Sequence, residues 1–174
     1  MRGAVPGRLS EFQAGRRAAR RALAALGLPP VALPMGQDRA PIWPPGICGS
    51  IAHASSLAVA VVSRSGAVGV DLEEDAALDP DLWSTICSDR EMDRLPLADR
   101  GLYLRRIFAA KEAVFKAQRA ENRVMFGFEA VEVTLVETGF DAQFLSECGA
   151  FPAGSKVHGA LVPVAGMILA GVFA

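Results

Sequence analysis

Gly69-Val70-Asp71-Leu72-Glu73 has the period of a β-strand, so Asp71 and Glu73 point to one side while Val70 and Leu72 point into a core. Its counterpart further along, Phe108-Ala109-Ala110-Lys111-Glu112-Ala113-Val114-Phe115-Lys116, has the period of a helix and sets Glu112 and Lys116 one turn apart on one face. Carboxylates and lysines embedded in otherwise apolar elements suit a magnesium-assisted phosphate reaction, because a hard cation takes oxygen ligands and the substrate supplies more of them. From spacing alone a structural ion-pair network serves equally well.

Around these segments the chain has the bulk of one domain: 174 residues, 51% hydrophobic and 21% charged. A formal net charge of -1 provides no electrostatic footprint for bulk nucleic-acid binding. Cys48, Cys87 and Cys148 are far apart and form no C-x-x-C pair, which argues against a disulfide framework or zinc knuckle and for a reducing cytoplasm. No apolar run approaches bilayer length, and the N-terminus lacks the apolar stretch of a secretory signal.

An amphipathic helix is expected over residues 15–26, with Ala18, Ala19, Ala22, Leu23 and Leu26 on one face and Arg16, Arg17, Arg20 and Arg21 on the other. The prolines within residues 27–47 predict an extended, stiff loop. Residues 47–51 read as a short strand entering a turn at His53, and residues 57–62 with 67–73 as a hairpin whose exit carries the acids. A short helix is predicted within residues 82–96, then a long one capped by Asp99. In its apolar stripe Lys111 is the position where pattern and residue disagree, since lysine is rarely buried without a charge partner. After a linker through Asn122 and Arg123, strands are expected over 130–136, 142–145, 157–162 and 167–173. His158 reads as structural. Neither G-x-S-x-G, G-x-x-x-x-G-K-[ST] nor G-x-G-x-x-G occurs, which removes hydrolase elbows, phosphate-binding loops of that type and the dinucleotide fingerprint.

In order along residues 8–118 stand Gly15-Arg16 with Ala18-Ala19-Arg20, Arg39-Ala40-Pro41 with Trp43-Pro44, and Gly49-Ser50-Ile51 with His53. The two acidic and lysine segments complete the set. This ordered series resembles the 4′-phosphopantetheinyl transferases, in the branch of enterobactin synthase component D. G-[IV]-D-[IL]-E and [WF]-x-x-K-E-[AS] are that family's main signature. The resemblance implies an α+β fold of two similar halves, approximately residues 1–75 and 76–174, packed around an active site.

It further implies transfer of the 4′-phosphopantetheine group of coenzyme A to a serine of an apo acyl or peptidyl carrier protein, in siderophore, polyketide or peptide assembly. Asp71, Glu73 and Glu112 would hold Mg²⁺; Lys116 and Lys111 would face the diphosphate. His53, Arg39, Arg16 and Arg20 would contact the 3′-phosphate and adenine nucleotide end. Glu112 or Glu91 would take the serine proton. A cytoplasmic monomer is expected, with a start shortened relative to the family. The alternatives are a metal-dependent phosphodiesterase or nuclease, and a non-catalytic module that binds coenzyme or carrier.

Overall fold

A computed structural model describes residues 6–122 and 124–174 of the chain; Arg123, expected in the linker, lies outside them. Its elements are α1 (Pro6–Ala25), β1 (Cys48–Ala54), β2 (Leu57–Ser63), β3 (Val68–Glu74), α2 (Trp83–Ile86), α3 (Asp89–Asp93), α4 (Arg100–Asn122), β4 (Val131–Val136), β5 (Gly139–Phe144), β6 (Lys156–Val164) and β7 (Met167–Phe173). The fold is α+β, as expected. All sheet pairing is antiparallel: β1 and β2 form a two-stranded ribbon, and the other five strands a sheet in the order β3-β7-β6-β5-β4.

The layers follow from alternation along the strands. One face of the β1–β2 ribbon, with Ile51, Ala60 and Val62, packs on Ala19 and Leu23 of α1. The opposite face, with Ala52, Ala54, Val59 and Val61, packs on Val70 and Leu72 of β3 and Leu169 of β7. Beyond the sheet lies α4, whose Ala109, Ala110, Ala113, Val114 and Ala117 meet Val133, Phe140, Ala170 and Val172 in the main core. These small α4 side chains let the helix backbone come close to the sheet.

Two readings are corrected. The expected hairpin of residues 57–62 with 67–73 does not form: β2 pairs with β1, and β3 pairs along its length with β7. The chain thus enters the larger sheet at β3. The two halves share a helix on antiparallel strands but differ in size, one built on a ribbon and the other on five strands. His53 also lies within β1 rather than in a turn.

Gly69 is where β3 and α4 cross. A Cβ placed there would sit 2.6 Å from the Ala117 backbone nitrogen and closer still to the Ala113 carbonyl oxygen. Backbone cannot yield as a flexible side chain can, so Gly69→Ala should destabilise the fold by about 1–3 kcal/mol or more through overpacking. Urea unfolding of the variant measures it. An unchanged midpoint would contradict the close crossing.

Candidate active site

The Gly69 crossing determines what stands beside what. Asp71 and Glu73 follow Gly69 at strand spacing on the face turned to α4, and α4 runs past them carrying Arg105, Glu112 and Lys116. Lys116 Nζ donates to Asp71 Oδ1 at 2.5 Å, and Arg105 Nη1 to Glu73 Oε2 at 2.9 Å. Asp71 is buried at 5% exposure, and its other oxygen, Oδ2, is buried without a hydrogen-bond partner among the described residues. Burial pushes the Glu73 carboxyl above its ordinary range, with Asp71 adding to the effect and Arg105 and Lys116 opposing it. Burial likewise raises Glu112, whose carboxyl Lys116 pulls down and Asp71 pushes up. The three acids therefore share one electrostatic site on the β3–α4 seam.

Does that donor set fit a hard divalent cation? An orphaned buried carboxylate oxygen and two neighbours held toward their neutral forms are what a cation would relieve, and carboxylate oxygen is the ligand type it takes. Among the described residues no three side chains of the His, Cys, Asp and Glu types are already drawn together around one point. Lys116 supplies the counter-charge at Asp71 instead. An ion at Asp71 would compete with that ammonium.

From Lys116 the site opens into a cleft of about 440 Å³ between α4 and the loop that precedes β1, with Trp43, Ile47 and Phe115 as apolar walls and Arg39, Lys116 and Arg119 as cations. Arg39 sits at the tip of a tight loop closed by the Met35–Pro41 bridge, in the left-handed region at φ 65°. Gly49 admits the Trp43 indole, which lies 2.6 Å from where a Cβ would be. Beside Glu112 a second, smaller cavity of about 220 Å³ is lined by Phe115, Phe126, Phe128 and Val131.

Other expected site residues do not line the Arg39–Lys116 cleft, although Lys111 borders the smaller cavity beside Glu112. Lys111 and Glu91 are paired in the interior, at 3% and 1% side-chain exposure, 2.8 Å apart. Lys111 Nζ also donates to the carbonyls of Ile86 and Phe128, filling its three donor directions. Glu91 Oε2 accepts from Ser88 N and Oγ in a capping box at α3, and Oε1 accepts from Val133 N. Both Glu91 oxygens are thus engaged within the protein, and the residue does not line the Arg39–Lys116 cleft. The misfit of Lys111 in the apolar stripe is met by a carboxylate of the protein itself.

Arg16 is 7% exposed and donates from Nε to Leu33 O at 2.9 Å and from Nη2 to Pro34 O at 3.4 Å, with its guanidinium over the Phe12 ring. It secures the proline-rich loop to α1. Arg20 borders shallow grooves on the outer side of α1 with Arg17. His53 lies 4.0 Å from Glu11 at the surface, and neither it nor the two arginines lines the Arg39–Lys116 cleft. His158 pairs with Asp141 on the exposed side of the β5–β6 ladder. The thiols are unpaired, and burial pushes Cys87 up to about 12, which leaves it protonated at neutral pH. Sequence reasoning missed Arg119. Its signal was present, one turn beyond Lys116 on the same helix.

Comparison with known proteins adds the relatives. The chain is 37% identical over 140 residues to a 4′-phosphopantetheinyl transferase of Nocardia iowensis, an alignment covering 78% of this chain and 63% of that protein. It is 35% identical to the 4′-phosphopantetheinyl transferase PptT of Mycobacterium tuberculosis, over 82% of this chain and 66% of that one. Enterobactin synthase component D of Salmonella typhimurium is 35% identical, over 77% and 58% respectively. The chain thus spans about six tenths of the length of the curated relatives it matches. The solved holo-[acyl-carrier-protein] synthase of Thermotoga maritima aligns over 61% of each chain at 25% identity, with a TM-score of 0.46. Residues 1–63 match the profile of the 4′-phosphopantetheinyl transferase N-terminal domain, and residues 67–157 that of the superfamily, meeting at the turn where the ribbon gives way to β3. With its two signature segments in contact across the β3–α4 seam, the chain belongs to the 4′-phosphopantetheinyl transferase superfamily.

Proposed function

We propose that this protein transfers the 4′-phosphopantetheine group of coenzyme A to a serine hydroxyl of an apo acyl or peptidyl carrier protein. The observation that carries the reading is the junction at Lys116, where a cation-lined cleft with apolar walls abuts the buried Asp71 carboxylate, with Glu73 and Glu112 along the same seam. The adenosine end of the coenzyme lies in the cleft, between Trp43 and Phe115, with Arg39 facing its anionic groups. The diphosphate lies at Lys116, beside the carboxylates.

Glu112 is the base in this reading. Its raised carboxyl is closer in affinity to an alcohol proton than an ordinary carboxylate is, and it stands beside Lys116. The serine oxygen bonds to the β-phosphorus, its proton passes to Glu112, and the bond from that phosphorus to the bridging oxygen breaks, releasing adenosine 3′,5′-bisphosphate. Lys116 offsets the charge that builds on the departing phosphate, once it has exchanged Asp71 for phosphate oxygen. Asp71, Glu73 and Glu112 would hold magnesium, which when bound supplies Lewis-acid polarisation and charge neutralisation at the diphosphate. We place the protein in a reducing cytoplasm, in keeping with its free thiols. No helix among the described residues is long and apolar enough to cross a membrane.

The test is incubation with coenzyme A, Mg²⁺ and several apo carrier proteins, followed by intact mass of the carrier. A phosphopantetheine-sized gain on one serine is expected. Tight coenzyme binding with no gain on any carrier would instead favour a binding module.

The cation itself has a separate signature in stability. Because Glu73 and Glu112 are raised, the folded protein holds their protons more tightly than the unfolded chain does. Their contribution to stability is full below the ordinary value of 4.5 and is lost as pH rises through the raised folded-state values. With magnesium held by Asp71, Glu73 and Glu112, binding of those protons would be opposed. MgCl₂ should therefore raise the thermal midpoint clearly at about pH 7.5 and progressively less toward about pH 4.5, where protons occupy the acids. A shift independent of pH would place the ion elsewhere.

A further inference from the structure

Arg119 makes an ion pair that bridges the cleft. Its Nη2 donates to the Asp38 carbonyl oxygen at 3.0 Å and lies 3.4 Å from Asp38 Oδ2, which ties the Arg39 loop to α4. Its guanidinium lies near the Phe115 ring, 5.8 Å from the centroid, and its Nε is buried with no hydrogen-bond partner among the described residues. Arg39, next in sequence to Asp38, lines the same cleft. Along α4, Arg119 stands about 4.5 Å beyond Lys116, on the side away from the carboxylates. The cations thus fall into two stations: Lys116 at the acidic end, and Arg39 with Arg119 at the other.

A ligand that fits both stations carries one anionic group near the carboxylates and a second at its far end. We infer that Arg119 is a specificity-determining residue: on binding it leaves Asp38 and, with Arg39, grips the terminal phosphomonoester of the ligand, so that the protein distinguishes coenzyme A from dephospho-coenzyme A. The inference rests on the coenzyme reading above. A phosphomonoester carries more charge than a carboxylate and matches the guanidinium fork with two oxygens, so it outcompetes Asp38 for the same donors. Asp38 acts as a placeholder that keeps Arg119 over the cleft. Its Oδ1 meanwhile accepts from Ala40 N and shapes the loop that presents Arg39.

A merely structural strap makes a different prediction, because loosening it disturbs the cleft for both ligands alike, whereas a grip on the terminal phosphate is felt by one of them. Asp38→Asn retains an amide oxygen for Ala40 N and removes the charge that holds Arg119. Arg119→Gln removes the grip itself. Calorimetric titration of the full chain with coenzyme A and with dephospho-coenzyme A, both in MgCl₂, separates the cases, and thermal unfolding checks that each variant is folded. The wild type should prefer coenzyme A. Arg119→Gln should lose about tenfold or more in affinity for coenzyme A and little for the dephospho form, while Asp38→Asn should bind coenzyme A at least as tightly as the wild type.

Equal loss for both ligands in Arg119→Gln, or a fall in Asp38→Asn that parallels it, would reduce the pair to a strap and overturn the inference while leaving the coenzyme reading intact. Should Arg119→Gln fail to fold, Arg119→Lys takes its place: a loss for coenzyme A well beyond that for the dephospho form supports the grip, and an equal loss for both overturns it. A wild type that binds neither ligand would overturn the coenzyme reading itself.

Discussion

Asp71→Asn should lower phosphopantetheine transfer on the order of a thousandfold while leaving the protein folded. The substitution changes almost no volume, so Val70 and Leu72 keep their packing against the β1–β2 ribbon. What it removes is the charge at the centre of the site. Asp71 is the carboxylate that pairs with Lys116 and pushes up both Glu73 and Glu112. Without it both neighbours, raised first by burial, lose a second influence that raises them; on the proposed reading the cation would lose its most buried ligand, and Lys116 would be freed to bind phosphate more tightly in the ground state. Coenzyme affinity without magnesium should therefore hold or rise while turnover collapses. Carrier mass per unit time measures turnover, and calorimetry measures affinity. A variant that transfers at the wild-type rate would refute the carboxylate site.

The largest effect on stability should come from Lys111→Met, which leaves the Glu91 carboxyl buried without its cationic partner at a cost of about 3–5 kcal/mol. This pair joins the end of α2 through Ile86 O, the start of α3 through Ser88, the segment before β4 through Phe128 O, and β4 itself through Val133 N. Equilibrium urea unfolding should show the midpoint fall with little change of slope. Replacing Glu91 by Leu in the same chain should recover part of the loss, because the uncompensated charge is gone, although the N–H groups of Ser88 and Val133 then lose an acceptor. A loss under about 1 kcal/mol for Lys111→Met would show that the pair is not sealed from water.

These two residues also show what can be read from sequence and what cannot. The strand at residues 69–73 and the long helix were legible because their periods are local and strong, and the ordered motifs placed them in one site. Lys111 was correctly marked as needing a charge partner, but its partner lies 20 positions upstream in α3, where nothing in the spacing connects them. The hairpin was misread for a related reason. Residues 63–66 have the composition of a hairpin turn, whereas the partner of β3 is β7, at the other end of the chain, and only three-dimensional packing selects it. The arginines of α1 read as one basic face, yet Arg16 is turned inward onto carbonyls of a proline-rich loop, acceptors that no side-chain pattern reveals.

Because α4 lies backbone to backbone against Gly69, it cannot slide along β3 without a clash, and it therefore works as a measuring rod. Glu112, Lys116 and Arg119 are marks on it, about 10 Å from first to last at 1.5 Å per residue. A single residue inserted between them would swing Arg119 through about 100° and carry it off the cleft, even if every side chain were retained. The helix is tolerant of what it is made of on its outer face and intolerant of any change in count.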